Sequence, residues 1–434
     1  MTRTIKSADS NDGGKKRSIL SRREYLSLCA VAGSALLGFV LSAKSKSGLT
    51  QKTKKTMQKT HVAVVGAGAF GGWTALYLVR RGARVTLFDN WGPGNSRASS
   101  GGETRVIRGT YGPQQPYTKM AARALQLWQE NEQRWKRRFL HRIGVLWMAA
   151  GDDSFERASL AELRAAGIRY EELALPELQK RWPQIHFEGV RWGIYEPESG
   201  YLTARVGCQA VVDGFIAEGG EFRQAAVATE GIEKRNWKGL PLSDGTTLIA
   251  DQYVFACGPW LGKLFPQVIG DRIRPTKQDV FFFGTPAGDE RFEERKLPVW
   301  ADHREHFLYG IPGNQRRGFK IADDTRGPDF DPTSGERVVS SETLKRVRDY
   351  VAFRFPGMKE APLVETRVCQ YENSPDQGFI IDRHPTVENV WLVGGGSGHG
   401  FKHGPALGEM VAELVVEHGD PQPAFRLGRF ESAR

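Results

Sequence analysis

Cysteine is scarce in this chain. Its 434 residues include four cysteines, and only Cys208, Cys257 and Cys369 follow the N-terminal leader that contains Cys29. Three cysteines cannot build a disulfide framework, and their spacing does not match a metal site. The sequence therefore predicts neither a disulfide scaffold nor a bound metal ion.

The body of the chain also has almost no net charge. The formal net charge is +11, but residues 1–60 carry 13 Lys and Arg against 3 Asp and Glu, which leaves 48 basic and 47 acidic residues in the remainder. A nucleic-acid-binding domain concentrates basic residues on its folded surface. The near-neutral body gives no support to a nucleic-acid partner.

The leader has a twin-arginine pattern. Arg22 and Arg23 precede residues 26–43, a stretch of 18 residues without a charge. This pattern is typical of a signal for twin-arginine export, which carries proteins that are already folded. A retained membrane anchor is the alternative, since 18 residues are the lower limit for crossing a bilayer and no cleavage site is well specified. We expect an exported, extracytoplasmic or periplasmic protein that meets the twin-arginine machinery and contacts the membrane only through this leader.

A βαβ fingerprint follows the leader. It consists of an apolar run, a glycine-rich turn, a helical stretch and a second apolar run that ends in Asp89. In the turn, Gly66 allows a tight bend, Gly68 lets the backbone approach a pyrophosphate, and Gly71 lets helix and strand pack closely. The helix N-terminus attracts the anion, and Asp89 is placed to bind a ribose hydroxyl. The residues predicted to bind a dinucleotide here are Gly66, Gly68, Ala69, Phe70, Gly71 and Asp89.

A second glycine cluster near the C-terminus distinguishes FAD from a nicotinamide cofactor. Residues 394–400 follow an apolar strand and precede a helix, more than 300 residues after the first turn. A nicotinamide dehydrogenase usually completes its nucleotide site within one contiguous domain. A second strand, loop and helix N-terminus suits a longer cofactor, with its adenine at the first unit and its flavin at the C-terminal loop. The loop alone could be a simple helix cap, but with its neighbours it predicts FAD.

Four segments resemble the D-amino-acid-oxidase superfamily, and most of all its monomeric sarcosine oxidase branch. That branch includes N-methyl-amino-acid, pipecolate and fructosyl-amino-acid oxidases. The segments occur in order within residues 61–418 and read GAGAFGGWTALYL, SGGETRVIRGTYG, CQYENSPDQGFIID and GGGSGHGFKHGPALGEMVAEL. The resemblance implies that FAD is attached through a thioether to Cys369, the cysteine of the Cys-x-Tyr segment. Taken alone, Cys369 indicates only a small buried side chain.

The resemblance also implies roles for single residues. Arg108 and Lys402 match the pair that holds the substrate carboxylate, a task suited to an arginine fork beside an ammonium group. Taken singly, each could instead form a structural salt bridge. Arg105 matches the arginine that faces the flavin, and Lys320 matches the lysine that assists oxygen reduction. The tyrosines expected to line the substrate cavity are Tyr309 and Tyr371, and further residues expected at the cofactor are Val227, Gly398, His399, Gly400, Lys402 and Arg105.

Two positions depart from the sarcosine oxidase pattern. Gly101 stands where that branch has a histidine beside the flavin, and Asp324 replaces a histidine four residues beyond Lys320. The loss of two imidazoles and the gain of a carboxylate change the polarity of the pocket. We expect a bulkier or more basic substituent on the substrate nitrogen to be compatible with these changes.

The order of elements predicts an α/β fold in which two domains are interleaved. A Rossmann-like FAD-binding domain is expected from residues 61–140, 205–270 and 365–434. An antiparallel-sheet substrate domain of α+β type is expected from residues 141–204 and 271–364, where the region 278–321 is short-period and rich in aromatic residues. Residues 1–60 form the leader and a basic linker.

The expected activity is FAD-dependent oxidation of a secondary amino acid. The C–N bond of an N-methyl or cyclic amino acid would be oxidised to an imine, and O2 would be reduced to hydrogen peroxide. Two alternatives remain open: a dehydrogenase that passes electrons to a quinone or carrier protein, and a non-catalytic flavoprotein. The residues do not choose among sarcosine, other N-methyl amino acids, pipecolate and glycated amines.

Overall fold

A six-stranded sheet is built on the predicted βαβ unit. The computed structural model describes residues 59–228, 239–304 and 306–431, and the predicted export signal lies outside them. Neighbouring strands run parallel, except for the antiparallel pair at one edge. In spatial order the strands are β18 (Ile380–Arg383), β19 (Val390–Gly394), β12 (Gln252–Phe255), β1 (His61–Val65), β2 (Arg84–Asp89) and β9 (Glu221–Gln224). The central strand β1 is buried along its whole length, which is typical of parallel sheets.

Four helices contribute to the core of this sheet. They are α1 (Ala69–Arg80), α2 (Gln115–Trp135), α5 (Ala204–Ala217) and α8 (Gly404–Glu417). Helices α1 and α8 pack closely, because a Cβ atom on Gly408 would lie 2.6 Å from the backbone carbonyl carbon of Trp73. The Trp73 indole also packs edge-to-face on Trp128 of α2, with ring centroids 5.0 Å apart. A Cβ atom on Gly404 would lie 3.0 Å from the carbonyl oxygen of Ala69, so α1 and α8 begin side by side.

A second sheet has eight strands. In spatial order they are β17 (Leu363–Asn373), β13 (Arg274–Phe283), β16 (Phe319–Asp323), β15 (Phe307–Ile311), β14 (Val299–His303), β5 (Val145–Ala150), β7 (Val190–Glu196) and β6 (Glu171–Ala174). Neighbours are antiparallel, as the pattern of residues 278–321 predicts, with one exception. Strands β14 and β5, which run parallel, are that exception in the predicted antiparallel sheet. They are far apart in sequence, so no hairpin dictates their relative direction.

The remaining elements are short strands and helices. The strands are β3 (Thr104–Ile107), β8 (Gly200–Thr203) and β4 (Leu140–His141) in one small sheet, and β10 (Leu240–Pro241) and β11 (Thr247–Leu248) in another. The helices are α3 (Ser154–Ala165), α4 (Leu175–Arg181), α6 (Leu261–Leu264) and α7 (Ser341–Arg354). Strand β3 carries Arg105 and ends one residue before Arg108. Across the described ranges, no helix is long and apolar enough to cross a membrane.

Strand β17 crosses one predicted domain boundary. Residues 365–373, which the sequence assigns to the FAD-binding domain, pair with β13 in the eight-stranded sheet. They therefore lie with the strands of the predicted substrate domain. The fold class is confirmed, because a mostly parallel sheet and a mostly antiparallel sheet are interleaved along the chain.

Candidate active site and cofactor cleft

A large cleft opens at the carboxyl ends of the parallel strands. Its walls include the segments that follow β1, β2, β9, β12 and β19. This edge is where open α/β sheets bind their ligands. Gly66, at the end of β1, has φ +104°, and a Cβ atom there would lie 2.3 Å from the carbonyl oxygen of Ala256. Only glycine fits where the turn after β1 passes the end of β12. The absence of a side chain there leaves the bottom of the cleft unfilled.

The N-terminus of α1 faces this cleft without a capping side chain. Gly68 is the N-cap residue, no side chain caps the helix, and its first turn contains no acidic residue. Gly68, Ala69 and Phe70 line the cleft. The free N–H groups and the helix dipole make this point favourable for a phosphate. Gly71 does not line the cleft: a Cβ atom there would lie 1.9 Å from the carbonyl oxygen of Gly66, so it serves close packing.

Asp89 lies at the end of β2, where the sequence predicts a ribose ligand. Its Oδ2 accepts the N–H of Ala67 at 2.8 Å and its Oδ1 accepts the N–H of Trp91 at 2.9 Å. Burial raises the pKa of Asp89, and these backbone N–H groups oppose that shift. The Asp89 carboxyl group thus links two loops that border the cleft, and Asp89 itself lines the cleft. Val227, also predicted at the cofactor, lines the same cleft.

A second pocket adjoins the cleft. Arg105, Gly398 and Phe401 line both cavities. Further residues of the second pocket include five that the sequence singled out: Arg108, Tyr309, Asp324, His399 and Lys402. The structure therefore brings the predicted carboxylate-binding pair into one pocket beside the cofactor cleft. His399 and Lys402 line the second pocket rather than the cleft, whereas Gly398 and Gly400 line the cleft.

Arg108 is held between two aromatic rings. Its guanidinium carbon lies 4.5 Å from the ring centroid of Tyr111 and 4.6 Å from that of Trp147. The next turn is fixed by Glu196, whose carboxylate accepts the N–H groups of Gly109 at 2.7 Å and Thr110 at 3.0 Å. Such stacking leaves the planar edge of the guanidinium able to bind a carboxylate.

Lys402 is buried, in the turn that precedes α8, and lines the same pocket as Arg108. Its Nζ donates hydrogen bonds to the Tyr111 hydroxyl at 2.7 Å and to the His399 carbonyl at 2.8 Å. Burial, followed by the charge of Arg108, lowers the pKa of Lys402 well below its ordinary value. An anionic ligand in this pocket would reverse that shift, because it favours the charged ammonium group.

Asp324 and Tyr371 form a hydrogen-bonded pair at the boundary of the two cavities. The Tyr371 hydroxyl donates to Oδ1 of Asp324 at 2.5 Å. Burial raises the pKa of Asp324 to about 6, although the Tyr371 hydrogen bond and the charges of Arg108 and Lys402 lower it. The second pocket therefore contains an acid as well as three basic side chains, Arg105, Arg108 and Lys402.

The other departure from the family pattern, Gly101, has a steric explanation. A Cβ atom there would lie 1.8 Å from the carbonyl oxygen of Asn95. A histidine cannot occupy this position unless the loop moves.

Arg105, Lys320 and Cys369 meet at the border of the cleft. Arg105 donates to the Sγ of Cys369 at 3.3 Å, and the Nζ of Lys320 donates to the Thr104 carbonyl at 2.9 Å. Lys320 is 2% exposed, and burial, followed by the charge of Arg105, lowers its pKa to about 7. Cys369 does not line the cleft itself, but Arg105 and Ser99, whose carbonyl accepts from both Arg105 and Cys369, do.

Two polar groups of the site are missing from the sequence-based prediction. Glu372 is buried and lines the cleft. His403 is fully buried, and its Nε2 lies 2.8 Å from the Tyr111 hydroxyl that also binds Lys402. Glu372 could have been noticed as an acidic residue three positions after Cys369, whereas nothing in the sequence links His403 to Tyr111.

The residues of the cleft fit FAD. The uncapped start of α1 suits a pyrophosphate, the glycine turns keep the cleft open, and the basic Arg105 lies at the end that adjoins the second pocket. Within the described residues, no group of three or more His, Cys, Asp or Glu side chains lies where it could hold a metal ion.

Comparison with known proteins agrees with this geometry. Over 359 residues the chain is 28% identical to a monomeric sarcosine oxidase of Bacillus sp. (strain NS-129), covering 82% of this chain and 92% of the relative. It is 25% identical to an N-methyl-L-tryptophan oxidase of Salmonella heidelberg, covering 87% and 99%. The fold matches that of L-proline dehydrogenase from P. horikoshii with a TM-score of 0.76 at 20% identity, covering 87% and 99%.

The family model for FAD dependent oxidoreductases matches residues 61–414. This match includes both glycine turns, the Arg105 strand and the segment that contains Cys369. It confirms FAD as the cofactor that the two glycine clusters predict. The chain belongs to the family of FAD dependent oxidoreductases.

Proposed function

We propose that this protein oxidises the C–N bond of a secondary amino acid to an imine and reduces O2 to hydrogen peroxide. The observation that carries the proposal is the pocket that contains Arg108 and Lys402 and shares Arg105 with the cofactor cleft. The sarcosine and N-methyl-L-tryptophan oxidases to which the chain is similar support this class of substrate. FAD, when bound, supplies the two-electron redox chemistry.

Arg108 and Lys402 bind the substrate carboxylate in this proposal. Arg108 offers a planar fork held in place by Tyr111 and Trp147, and Lys402 adds an ammonium group from the buried side. Charge-assisted hydrogen bonds of this kind fix both the position and the orientation of a carboxylate. A fixed orientation is what a reaction at the neighbouring carbon requires. Water then hydrolyses the imine product after it leaves the site.

Asp324 selects the amine end of the substrate. A carboxylate in the same pocket as a bound substrate carboxylate would repel it, unless a cationic or hydrogen-bond-donating group lies between them. We assign that place to the substrate amine and to a polar substituent on its nitrogen. Asp324 thereby favours substrates more polar at nitrogen than sarcosine, in keeping with the carboxyl group in place of an imidazole.

Lys320 favours O2 as the electron acceptor. It is a buried amine beside Arg105 and Cys369, and its cationic form stabilises the negative charge that develops on oxygen as electrons arrive. We also propose that Cys369 carries the flavin as a thioether and that Tyr309 lines the substrate cavity, whereas Tyr371, predicted to line it too, lies in the cofactor cleft and reaches that cavity through Asp324. The position of Tyr309 supports this assignment, because Tyr309 lines the second pocket. The Nζ of Lys320 lies 5.7 Å from the centroid of the Tyr309 ring.

The proposed location is outside the cytoplasm, reached through the twin-arginine leader. Folding around FAD before export suits a cofactor that is made inside the cell. The leader could be removed or could remain as an anchor.

An anaerobic screen tests the enzymatic proposal. Purified protein is mixed with sarcosine, other N-methyl amino acids, pipecolate and glycated amino acids, and flavin bleaching is followed. Bleaching by a secondary amino acid, then peroxide formation in air, is the expected result. Bleaching without peroxide formation would indicate a dehydrogenase that passes electrons to a quinone or carrier protein, instead of an oxidase. No bleaching with any of these amines would leave a non-catalytic flavoprotein.

A further inference from the structure

Glu372 is a buried acid that the proposed reaction does not use. It belongs to β17, three residues after Cys369, and it is one of the residues that line the cofactor cleft. The residue is 8% exposed. Its Oε2 is buried and has no hydrogen-bond partner among the residues that the structure describes. A buried carboxyl oxygen without a partner is costly, so its position calls for a ligand.

The Glu372 carboxyl group reaches the two glycine turns that border the cleft. A Cβ atom on Gly396 would lie 2.6 Å from its Oε1, and a Cβ atom on Gly258 would lie 3.4 Å from its Oε2. The absence of side chains at both positions leaves room for the carboxyl group between the two turns. Gly396 and Gly258 both line the cleft with Glu372.

The environment of Glu372 is almost free of charge. The backbone N–H of Gly396 hydrogen-bonds to the carboxyl group, and burial raises the pKa of Glu372 to about 7. The titratable neighbour on the Gly258 side is the Cys257 thiol, whose pKa is raised by burial, by Asp89 and by Glu372. On the other side, the residue paired with Glu372 in β13 is Pro275. Near neutral pH the acid form is therefore readily available.

We propose that Glu372 binds FAD directly, as a hydrogen-bond donor from Oε2 to a polar acceptor of the cofactor. FAD carries two phosphates, so an ionised carboxylate in the same cleft would repel it, whereas the neutral acid donates a hydrogen bond. Binding then retains one proton on Glu372. The affinity for FAD is consequently high below about pH 7 and falls as the pH rises above it.

The experiment measures FAD binding rather than turnover. The Cys369→Ala variant is freed of flavin, and the Kd for added FAD is measured by quenching of flavin fluorescence from about pH 6 to about pH 9. A single linked proton makes the Kd rise by up to about tenfold per pH unit above the pKa of the free protein. Lys320 titrates in the same range, so the decisive quantity is the change in slope caused by a substitution at Glu372.

Glu372→Gln, introduced into the same background, keeps the shape and a donor but cannot ionise. At pH 6 it is expected to bind FAD with the Kd of the parent. Above the pKa of Glu372, the dependence of log Kd on pH should be less steep than in the parent by one proton. Glu372→Ala should bind at least about tenfold more weakly at pH 6. The control Glu388→Gln, at an exposed carboxylate outside the cleft, should change neither value. The proposal is overturned if Glu372→Gln keeps the parent slope, or if its affinity at pH 6 equals that of a folded Glu372→Ala variant.

Discussion

Tyr371 donates a hydrogen bond of 2.5 Å to Asp324, and this pair joins the cofactor cleft to the substrate pocket. Tyr371 lines the first cavity and Asp324 the second. The phenol therefore lowers the pKa of a carboxyl group in the pocket where we propose that the substrate binds. Because the hydrogen bond favours the ionised form, it lowers a pKa that burial would raise further.

The pH profile of the reaction should reveal this pair. Asp324 must be ionised to bind the substrate amine, so kcat/KM for a secondary amino acid should fall as the pH drops through about 6. Asp324→Asn should remove that acid limb and lower kcat/KM by about ten- to hundred-fold, since one charge-assisted contact is lost. Steady-state kinetics across the pH range measure both effects.

Tyr371→Phe provides the matched control. It keeps the carboxylate but removes its hydrogen bond, so the pKa of Asp324 rises and the acid limb should move to higher pH. An acid limb unchanged in both variants would show that Asp324 does not meet the substrate.

Lys402→Met tests whether Lys402 binds the substrate carboxylate. The variant should raise the KM for amino acids by about ten- to hundred-fold, because a charge-assisted contact of about 1.5–3 kcal/mol is lost. A secondary amine of similar size without a carboxylate should be turned over almost as before. If both kinds of substrate lose activity equally, Lys402 positions the cofactor or maintains the fold instead.

The local elements could be predicted from the sequence, but their long-range pairing could not. The sequence predicts the strand 61–65, the helix that follows it and the position of Asp89, because strand, turn and helix signals lie within a few residues of one another. The parallel pair of β14 and β5 joins segments with no short connection, so periodicity cannot reveal it. The same holds for β17, whose residues 365–373 pair with β13.

The candidate site shows the same limit. The family resemblance predicts that Arg108 and Lys402 act together, and the structure places both in one pocket. Glu372 has no motif of its own, and its meaning depends on Gly258 and Gly396, which reach it from distant parts of the chain. The burial of Glu372 cannot be predicted from the sequence, because it depends on how distant segments pack together in the fold.

Cys369→Ala tests the thioether. Protein with native Cys369 should remain yellow after acid precipitation, whereas the variant should release its flavin into the supernatant. Cys208→Ala is the control, because Cys208 is buried in α5, whereas Cys369 is partly exposed and its Sγ accepts from Arg105 of the cleft. Quantitative release of FAD from the unaltered protein would refute covalent attachment and leave the family assignment intact.

Replacement of Arg22 and Arg23 by lysine tests the export route. The variant should accumulate in the cytoplasm as a folded, flavin-loaded protein, because the twin-arginine machinery reads the arginine pair. Fractionation and flavin absorbance measure location and folding together. Efficient export of the lysine variant would mean that another pathway reads the leader.

Lys320→Met separates the two halves of the reaction. Lys320 lies beside Arg105 and Cys369 and does not line the pocket that contains Arg108 and Lys402, so substrate-dependent flavin bleaching without oxygen should change little. Reoxidation by O2 should slow by about a hundred-fold or more, the loss expected when one preorganised electrostatic donor is removed.

The pH dependence of reoxidation distinguishes an electrostatic role of Lys320 from a purely structural role. Since the pKa of Lys320 is lowered to about 7, its cation is present below that pH and lost above it. Reoxidation of the unaltered enzyme should therefore slow as the pH rises through about 7, and the Lys320→Met variant should show no such step. Lys320→Arg, which stays charged, should likewise lose the step while retaining part of the rate. Stopped-flow mixing of reduced enzyme with oxygen measures each rate, and an unaltered step in Lys320→Met would assign oxygen activation to another group.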